Sequence, residues 1–327
     1  MKLKQYFVML FVLLSNSGIF PQSTGIDKVG TTSFQFLKVM TDARSTAMGE
    51  AFVSVVNTAD AVFWNPAGLT KIQGFDLSSS YVKWFFDVSQ ISLAAAYNWE
   101  GIGHFGFQAM INDLGDIQVT RVDHLVKDAN GNYIPGLTGE SVSPGFKVFG
   151  ISFSKELTDK FSFGITAKYA TEDLVAKKAS ALIFDGGLLY KTGFHTVEIA
   201  AVLRHFGPEV KFFDRSYPLP QTFTIGISAD LFSSGDALFT QIADQRLLLS
   251  YNLSQPRDYG QQHHVGIEYS YLNIFFLRAG YKINFDEEGL TLGAGINYKN
   301  YRIDYSYNNY GEFLGNVHRF TIGLSIN

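Results

Sequence analysis

From residue 75 to its last residue the chain repeats one pattern: apolar and polar side chains alternate in runs of about ten residues separated by turns. A period of two sends successive side chains to opposite faces of a strand, so each run has one apolar and one polar face. Ile91, Leu93, Ala95 and Tyr97 alternate with Ser92, Ala94, Ala96 and Asn98. Phe161, Phe163, Ile165 and Tyr169 alternate with Ser162, Gly164, Thr166 and Lys168. The last run sets Phe320, Ile322, Leu324 and Ile326 against Thr321, Gly323 and Ser325.

A soluble sandwich also alternates, so strand length and the chemistry of the faces decide. Runs of this length match a tilted membrane span, and tyrosines near run ends (Tyr97, Tyr169, Tyr190, Tyr271, Tyr298) suit an interfacial girdle. Charged residues make up 17% of the chain and aromatic residues 15%, whereas a soluble domain is about a quarter charged. No apolar run after residue 25 reaches the roughly 20 residues of a spanning helix. The expected fold class is all-β: a transmembrane antiparallel β-barrel of about 14 strands, an even number as in bacterial single-chain barrels. The strands are expected to start near residues 75, 89, 103, 145, 160, 180, 195, 220, 244, 262, 273, 289, 300 and 316.

Connections alternate in length. The expected outer loops are Asp113–Ser143, Thr171–Ser180, Phe206–Leu219, Ser254–Gln262 and Asn308–Asn316. The inner turns are short, as at Trp99–Ile102 and Lys299–Tyr301, the asymmetry of outer-membrane barrels. Two connections break it: Phe232–Ala243 is long for an inner turn, and Phe86–Val88 is short for an outer loop.

Residues 1–22 read as a secretory signal peptide, with Lys2 and Lys4 before an apolar run from Tyr6 to Leu14 and small polar residues after it. With no cysteine, the exported chain has no disulfide and no thiol for lipid attachment. The net charge of −4 argues against a nucleic-acid partner. The expected location is the bacterial outer membrane, with the lipid bilayer as surroundings.

Residues 23–74 lack strand alternation, and residues 75–327 form the barrel. Ala43, Ala47, Met48 and Ala51 recur at helical spacing, with Gly49 ending or kinking the helix. Thr58 is expected to cap a second helical turn, Ala59–Trp64, which Asn65-Pro66 stops. The segment is too apolar to lie free in water and reads as a plug inside the barrel.

The residues from Ala43-Arg44-Ser45-Thr46-Ala47-Met48-Gly49-Glu50-Ala51-Phe52 through Asp60-Ala61-Val62-Phe63-Trp64-Asn65-Pro66-Ala67-Gly68-Leu69 resemble the N-terminal signature of the PorV/PorQ family, which is related to FadL-type barrels. Pro218–Gly226 is similar to that family's Leu-Pro strand start. The resemblance implies a fourteen-stranded barrel with the N-terminal segment folded into the lumen as a hatch. PorV members serve the type IX secretion system, collecting exported proteins by their C-terminal domains and delivering them for surface attachment. FadL relatives admit long-chain fatty acids or other hydrophobic small molecules and release them sideways into the membrane. The signature looks closer to PorV, and first strands without a glycine kink, with few apolar residues on the lumen faces, speak against a greasy pathway. Barrels often end in an aromatic residue, whereas this chain ends Ser325-Ile326-Asn327.

Several residues are candidates for sites. Arg44 is expected to pair with a lumenal acid such as Glu268 or Asp304, anchoring the plug; contact with an anionic ligand is its other open role. Asn65, Pro66, Ala67 and Gly68 either fix the plug in the wall or form an ordinary turn before the first strand. Glu198, Arg204, Glu268, Arg278, Lys282, Arg302, Asp304 and Arg319 are expected to face the lumen, mostly paired with one another. Asp128-Ala129-Asn130-Gly131-Asn132 lacks the glycine position and final glutamate of a calcium loop and reads as a hairpin turn. His263 and His264 are adjacent on a strand, hence on opposite faces. No metal site, cofactor or catalytic motif is expected, and the chain does not read as an enzyme. The remaining partners are secretion machinery with its exported proteins, or a hydrophobic ligand or lipid.

Overall fold

A computed structural model describes residues 28–85, 88–134, 136–175 and 177–326. The expected signal peptide, residues 1–22, lies outside the described residues, as do Phe86 and Asp87 of the short first connection. The chain forms β1 (Phe75–Lys83), β2 (Ser89–Trp99), β3 (Gly103–Asp113), β4 (Gly145–Glu156), β5 (Phe161–Asp173), β6 (Lys178–Lys191) and β7 (Glu198–Phe206). It continues with β8 (Thr222–Ser233), β9 (Gln245–Pro256), β10 (Gln262–Tyr271), β11 (Phe275–Ile283), β12 (Leu290–Tyr298), β13 (Tyr301–Asn309) and β14 (Asn316–Ile326). Each strand pairs antiparallel with its sequence neighbours, and β1 pairs with β14 through Phe75↔Ile326 to Lys83↔His318, so the fourteen strands close into a barrel without an edge.

The strands run 9 to 14 residues, enough for a tilted span. Their side chains obey the alternation in the sequence. On β3, Phe105, Phe107 and Ile111 are exposed on the outside while Gly106, Gln108 and Asn112 are buried within. An exterior of Ile, Leu and Phe over a lumen of Gly, Ser, Thr and charge is stable only in a bilayer, where closure satisfies every backbone group. Tyr97, Tyr190, Tyr271 and Tyr298 all point outward near strand ends at the short-turn rim.

Expected strand starts agree with the structure within three residues. The long connection after β8 leaves the count intact because it folds back, Thr240–Gln241 pairing parallel with Phe232–Ser233. Beyond β3 the Asp113–Ser143 loop is an extended hairpin, with Ile117–Thr120 against Leu137–Val142 and Val126–Lys127 against Tyr133–Ile134.

Residues 28–74 thread the lumen from the loop rim to the turn rim. At the loop rim Lys28 N donates to Asp258 O (3.1 Å) and Ser33 N to Pro218 O (2.9 Å). At the turn rim Gly74 O accepts Asn98 N at 2.9 Å, one residue before β1 starts. Between them lie a 3₁₀ turn (Gln35–Lys38), α1 (Ala43–Ala47), α2 (Ala61–Trp64) and a second 3₁₀ turn (Pro66–Lys71). Met48, Phe52, Val56, Val62 and Leu69 make this segment's side of the core. The second helix differs from expectation: it starts at Ala61, and Thr58 does not cap it. The Thr58 hydroxyl instead donates to Asp60 Oδ2 (3.1 Å).

Candidate functional site

The N-terminal segment meets the wall where the wall has no side chains. Asp42 begins α1, its carboxylate accepting Ser45 N (2.8 Å) and Trp64 Nε1 (2.7 Å), which ties α1 to α2. After Ala47 the backbone turns through Gly49 at φ +61°, a left-handed conformation that glycine adopts without strain. Met48-Gly49 then rests on Gly266 and Gly280, register partners of β10 and β11, and a Cβ on Gly280 would overlap Gly49 N. On another part of the wall Asn65-Pro66-Ala67 rests on Gly164 and Gly187, register partners of β5 and β6. Asn65 Nδ2 donates to Val53 O (2.9 Å) and to Leu188 O (3.2 Å) of the wall, while its Oδ1 accepts Ala67 N (3.0 Å). Gly68 packs against Val56 within the segment. These four lumen-face glycines are sockets that let one backbone approach another.

Charge holds the same segment. Arg44 forks onto Glu268, Nε to Oε2 at 2.8 Å and Nη2 to Oε1 at 2.9 Å, and its Nη1 donates to Asn57 Oδ1 (2.6 Å). Glu268 also accepts Arg278 Nε (2.7 Å) and lies 3.4 Å from Arg246 Nη1. Arg278 Nη1 continues to Asp304 at 2.6 Å, and Arg302 reaches Asp304 (3.4 Å), Asp60 (3.6 Å) and Asp76 (3.7 Å). Glu198 pairs with Lys71 at 2.5 Å. Lys282 is held between Glu50 (2.5 Å) and Glu288.

Two of the lumen arginines depart from the expected pairing. Arg319 is bonded by neutral oxygens: Met40 O (3.2 Å), Asn308 Oδ1 (2.6 Å) and Tyr310 OH (3.2 Å). Among the described residues Arg204 donates only to Met40 Sδ, at 3.6 Å, and lies over the Trp64 ring at 5.2 Å. Asp42, Asp60 and Asp76 were not singled out in the sequence, nor was the buried pair Lys168–Asp185 (2.5 Å). The last was readable: Lys168 faces Ile183 across β5–β6, so the inward Asp185 is its diagonal neighbour.

The expectation of few apolar lumen residues also fails at the loop rim. Met110, Phe146, Val148, Ala170, Ala181 and Ile183 of β3 to β6 turn inward and pack on Phe34, Phe36 and Leu37. Phe36 stacks on Phe146 with ring centroids 3.9 Å apart. The cause is a local change in composition: in this sector the inward parity carries apolar residues while the outward parity stays apolar as well.

Between the N-terminal segment and the loop-rim connections lies a cavity of about 390 Å³. Trp84, Phe85, Tyr310 and Leu314 form one wall; Arg204 and His205 stand on another, and Gln35 and Lys38 belong to the N-terminal strap. One carboxylate latches that strap: Asp258 accepts from Thr32 Oγ1 (2.8 Å), Gln35 Nε2 (2.9 Å) and Lys38 Nζ (2.6 Å). Burial pushes the Asp258 carboxyl up, but these donors and the Lys38 charge outweigh it and hold the group below the ordinary carboxylate range.

Asp128 Oδ1 accepts the backbone N–H groups of Asn130 and Asn132, at the tip of the outer hairpin. His264 turns inward to Gly49 O (2.8 Å), and His263 bonds Tyr251 OH (2.7 Å) on the other face.

No family profile and no curated protein matches the chain. Solved structures do. The toluene transporter TbuX of Ralstonia pickettii is similar over 89% of this chain and 99% of its own, at 15% identity and a TM-score of 0.57. The toluene transporter TodX of Pseudomonas putida is similar over 86% and 96%, at 15% identity and a TM-score of 0.55. A FadL homologue of Pseudomonas aeruginosa is similar over 88% and 98%, at 12% identity and a TM-score of 0.50. The chain has the fold of the FadL-type hydrocarbon-transporter barrels.

Proposed function

We propose that this protein sits in the bacterial outer membrane and admits hydrophobic small molecules from the loop side, with the N-terminal segment as the hatch that closes the lumen. The loop-rim cavity carries this reading. Its aromatic wall, Trp84, Phe85 and Tyr310, and the neighbouring apolar sector of β3 to β6 offer an oily surface inside an otherwise polar lumen. The fold, shared with toluene transporters, supports it.

A second reading, delivery of exported proteins in type IX secretion, draws on the resemblance of residues 43–69 and on the outer hairpin. Val122 and Tyr133 of that hairpin are 84% and 67% exposed, apolar surface of the kind that binds proteins. Gentle solubilisation of outer membranes with the tagged chain separates the two. An extracted hydrophobic small molecule, with no secretion subunits recovered, supports the channel. Recovery of secretion subunits, or of exported proteins sharing a C-terminal domain, with no extracted ligand, sinks it.

A further inference from the structure

We propose that the outer wall binds the phosphomonoester headgroup of an outer-leaflet lipid, in a patch formed by Lys83 of β1 with Asn316 and His318 of β14. The proposal goes beyond the channel reading and shares with it only the placement in the outer membrane.

Register fixes the level of this patch. Tyr305, Phe320, Tyr81, Ile91 and Ile111 make one outward row across β13, β14, β1, β2 and β3. Two residues nearer the loops, the outward row reads Tyr307, His318, Lys83, Ser89 and Asp113. The apolar band of this wall ends between the two rows. The second row therefore lies where hydrocarbon gives way to headgroups.

Two tyrosines arrange the patch. Tyr305 OH donates to His318 Nδ1 (2.8 Å), and the His318 ring contacts the Tyr305 and Tyr307 rings at centroid distances of 6.0 and 5.7 Å. A phenol donating to Nδ1 leaves the proton of the neutral imidazole on Nε2. Tyr307 OH donates to Asn316 Oδ1 (2.8 Å), which leaves both N–H bonds of that amide. Each tyrosine thus takes up an acceptor and leaves a donor. Among the described residues neither His318 Nε2 nor Asn316 Nδ2 has a protein partner. Lys83, register partner of His318, is exposed and has no carboxylate among them either. Along its row the nearest acid, Asp113, stands two strands away, about 10 Å by strand spacing, and holds Gly115 N (2.9 Å). Lys178 of β6, by contrast, already has Asp173 at 2.6 Å.

A cation beside two neutral donors suits a phosphomonoester, which presents three acceptor oxygens and roughly two negative charges. A phosphodiester has one charge and two free oxygens, fewer than the patch can use. Below the patch Tyr81 and Phe320, 44% and 51% exposed, lie against the acyl chains of the same lipid.

The test reads the lipid retained on the full folded chain by native mass spectrometry. The chain is released from neutral micelles doped with equal amounts of lipid A bearing its phosphates and the same lipid after phosphatase treatment. Wild type is expected to retain the phosphorylated form about tenfold more, the scale of charge-assisted bonds. Lys83→Met is expected to reduce that preference to about twofold. Tyr305→Phe keeps every charge and the ring but frees Nδ1, and is expected to reduce it about threefold. Lys147→Met removes another outward lysine of the same wall and is expected to leave it unchanged. Excess inorganic phosphate is expected not to displace the lipid. Migration on unheated gels checks that each variant is assembled. No preference in wild type, an unmoved preference in Lys83→Met or Tyr305→Phe, an equal loss in Lys147→Met, or displacement by inorganic phosphate overturns the proposal. The channel reading, which rests on the lumen cavity, stands in each of those cases.

Discussion

At Glu268 one carboxylate meets three guanidinium groups, those of Arg44, Arg278 and Arg246, with its side chain 1% exposed. Removing one partner of a buried ion pair leaves charge without compensation, at a cost of about 3–5 kcal/mol. Glu268→Ala is therefore expected to lower the temperature at which the folded barrel band converts to the unfolded one on gels. An unchanged conversion temperature contradicts the network's role. A second residue-scale expectation concerns the sockets. Gly280→Val drives a side chain into the Gly49 backbone and is expected to unseat the N-terminal segment and raise ion conductance in planar bilayers. Gly186→Ala, whose added carbon meets nothing within 4 Å, is expected to change stability by no more than about 0.5 kcal/mol. Arg44 was legible as the one basic residue of its stretch, and Glu268 as an acid on the polar parity of its strand. The sockets were not: a glycine on a polar face reads as small, and only the approaching backbone shows what the space is for.

The strands were legible because alternation is local and each run carries its own evidence. The elements of residues 28–74 were legible only in outline. Their shape comes from partners far away in sequence, such as Asp42 with Trp64 and Asn65 with Leu188. The strap at Gln35–Lys38 is the clearest case, since nothing near it in sequence points to Asp258. That latch has a pH dependence whose sign follows from its depressed carboxyl pKa. An acid held below its unfolded value of about 3.9 stabilises the fold at higher pH, and that contribution is lost as pH falls through the folded value. Protection of residues 32–38 from hydrogen exchange, relative to the intrinsic rate at each pH, is expected to hold from pH 8 to pH 5 and to fall below about pH 4. Asp258→Asn is expected to lower it at neutral pH. Rapid exchange in wild type at pH 7 contradicts the latch.

On the scale of the whole molecule, the barrel closes with β1 on β14 and the N-terminal segment spans its lumen from rim to rim. The wall from β1 to β4 is unbroken in register, and its interruptions lie elsewhere, at Phe184/Gly186 between β6 and β7 and at Asp230/Phe232 between β8 and β9. Periodicity marked the strands, and run length with the chemistry of the two faces pointed to a closed barrel. They did not give the oily sector of the lumen or the cavity, because those arise where both faces of neighbouring strands are apolar and where loops meet across the ring. The proposed passage of apolar solutes rests on the aromatic-walled cavity at the loop rim. The most direct measurement is uptake of a labelled hydrophobic solute by intact cells of a host stripped of its own hydrophobic-solute barrels, with and without this protein. The expected result is uptake several-fold faster with the protein, at unchanged permeability to hydrophilic dyes; equal uptake in the two strains would contradict the account.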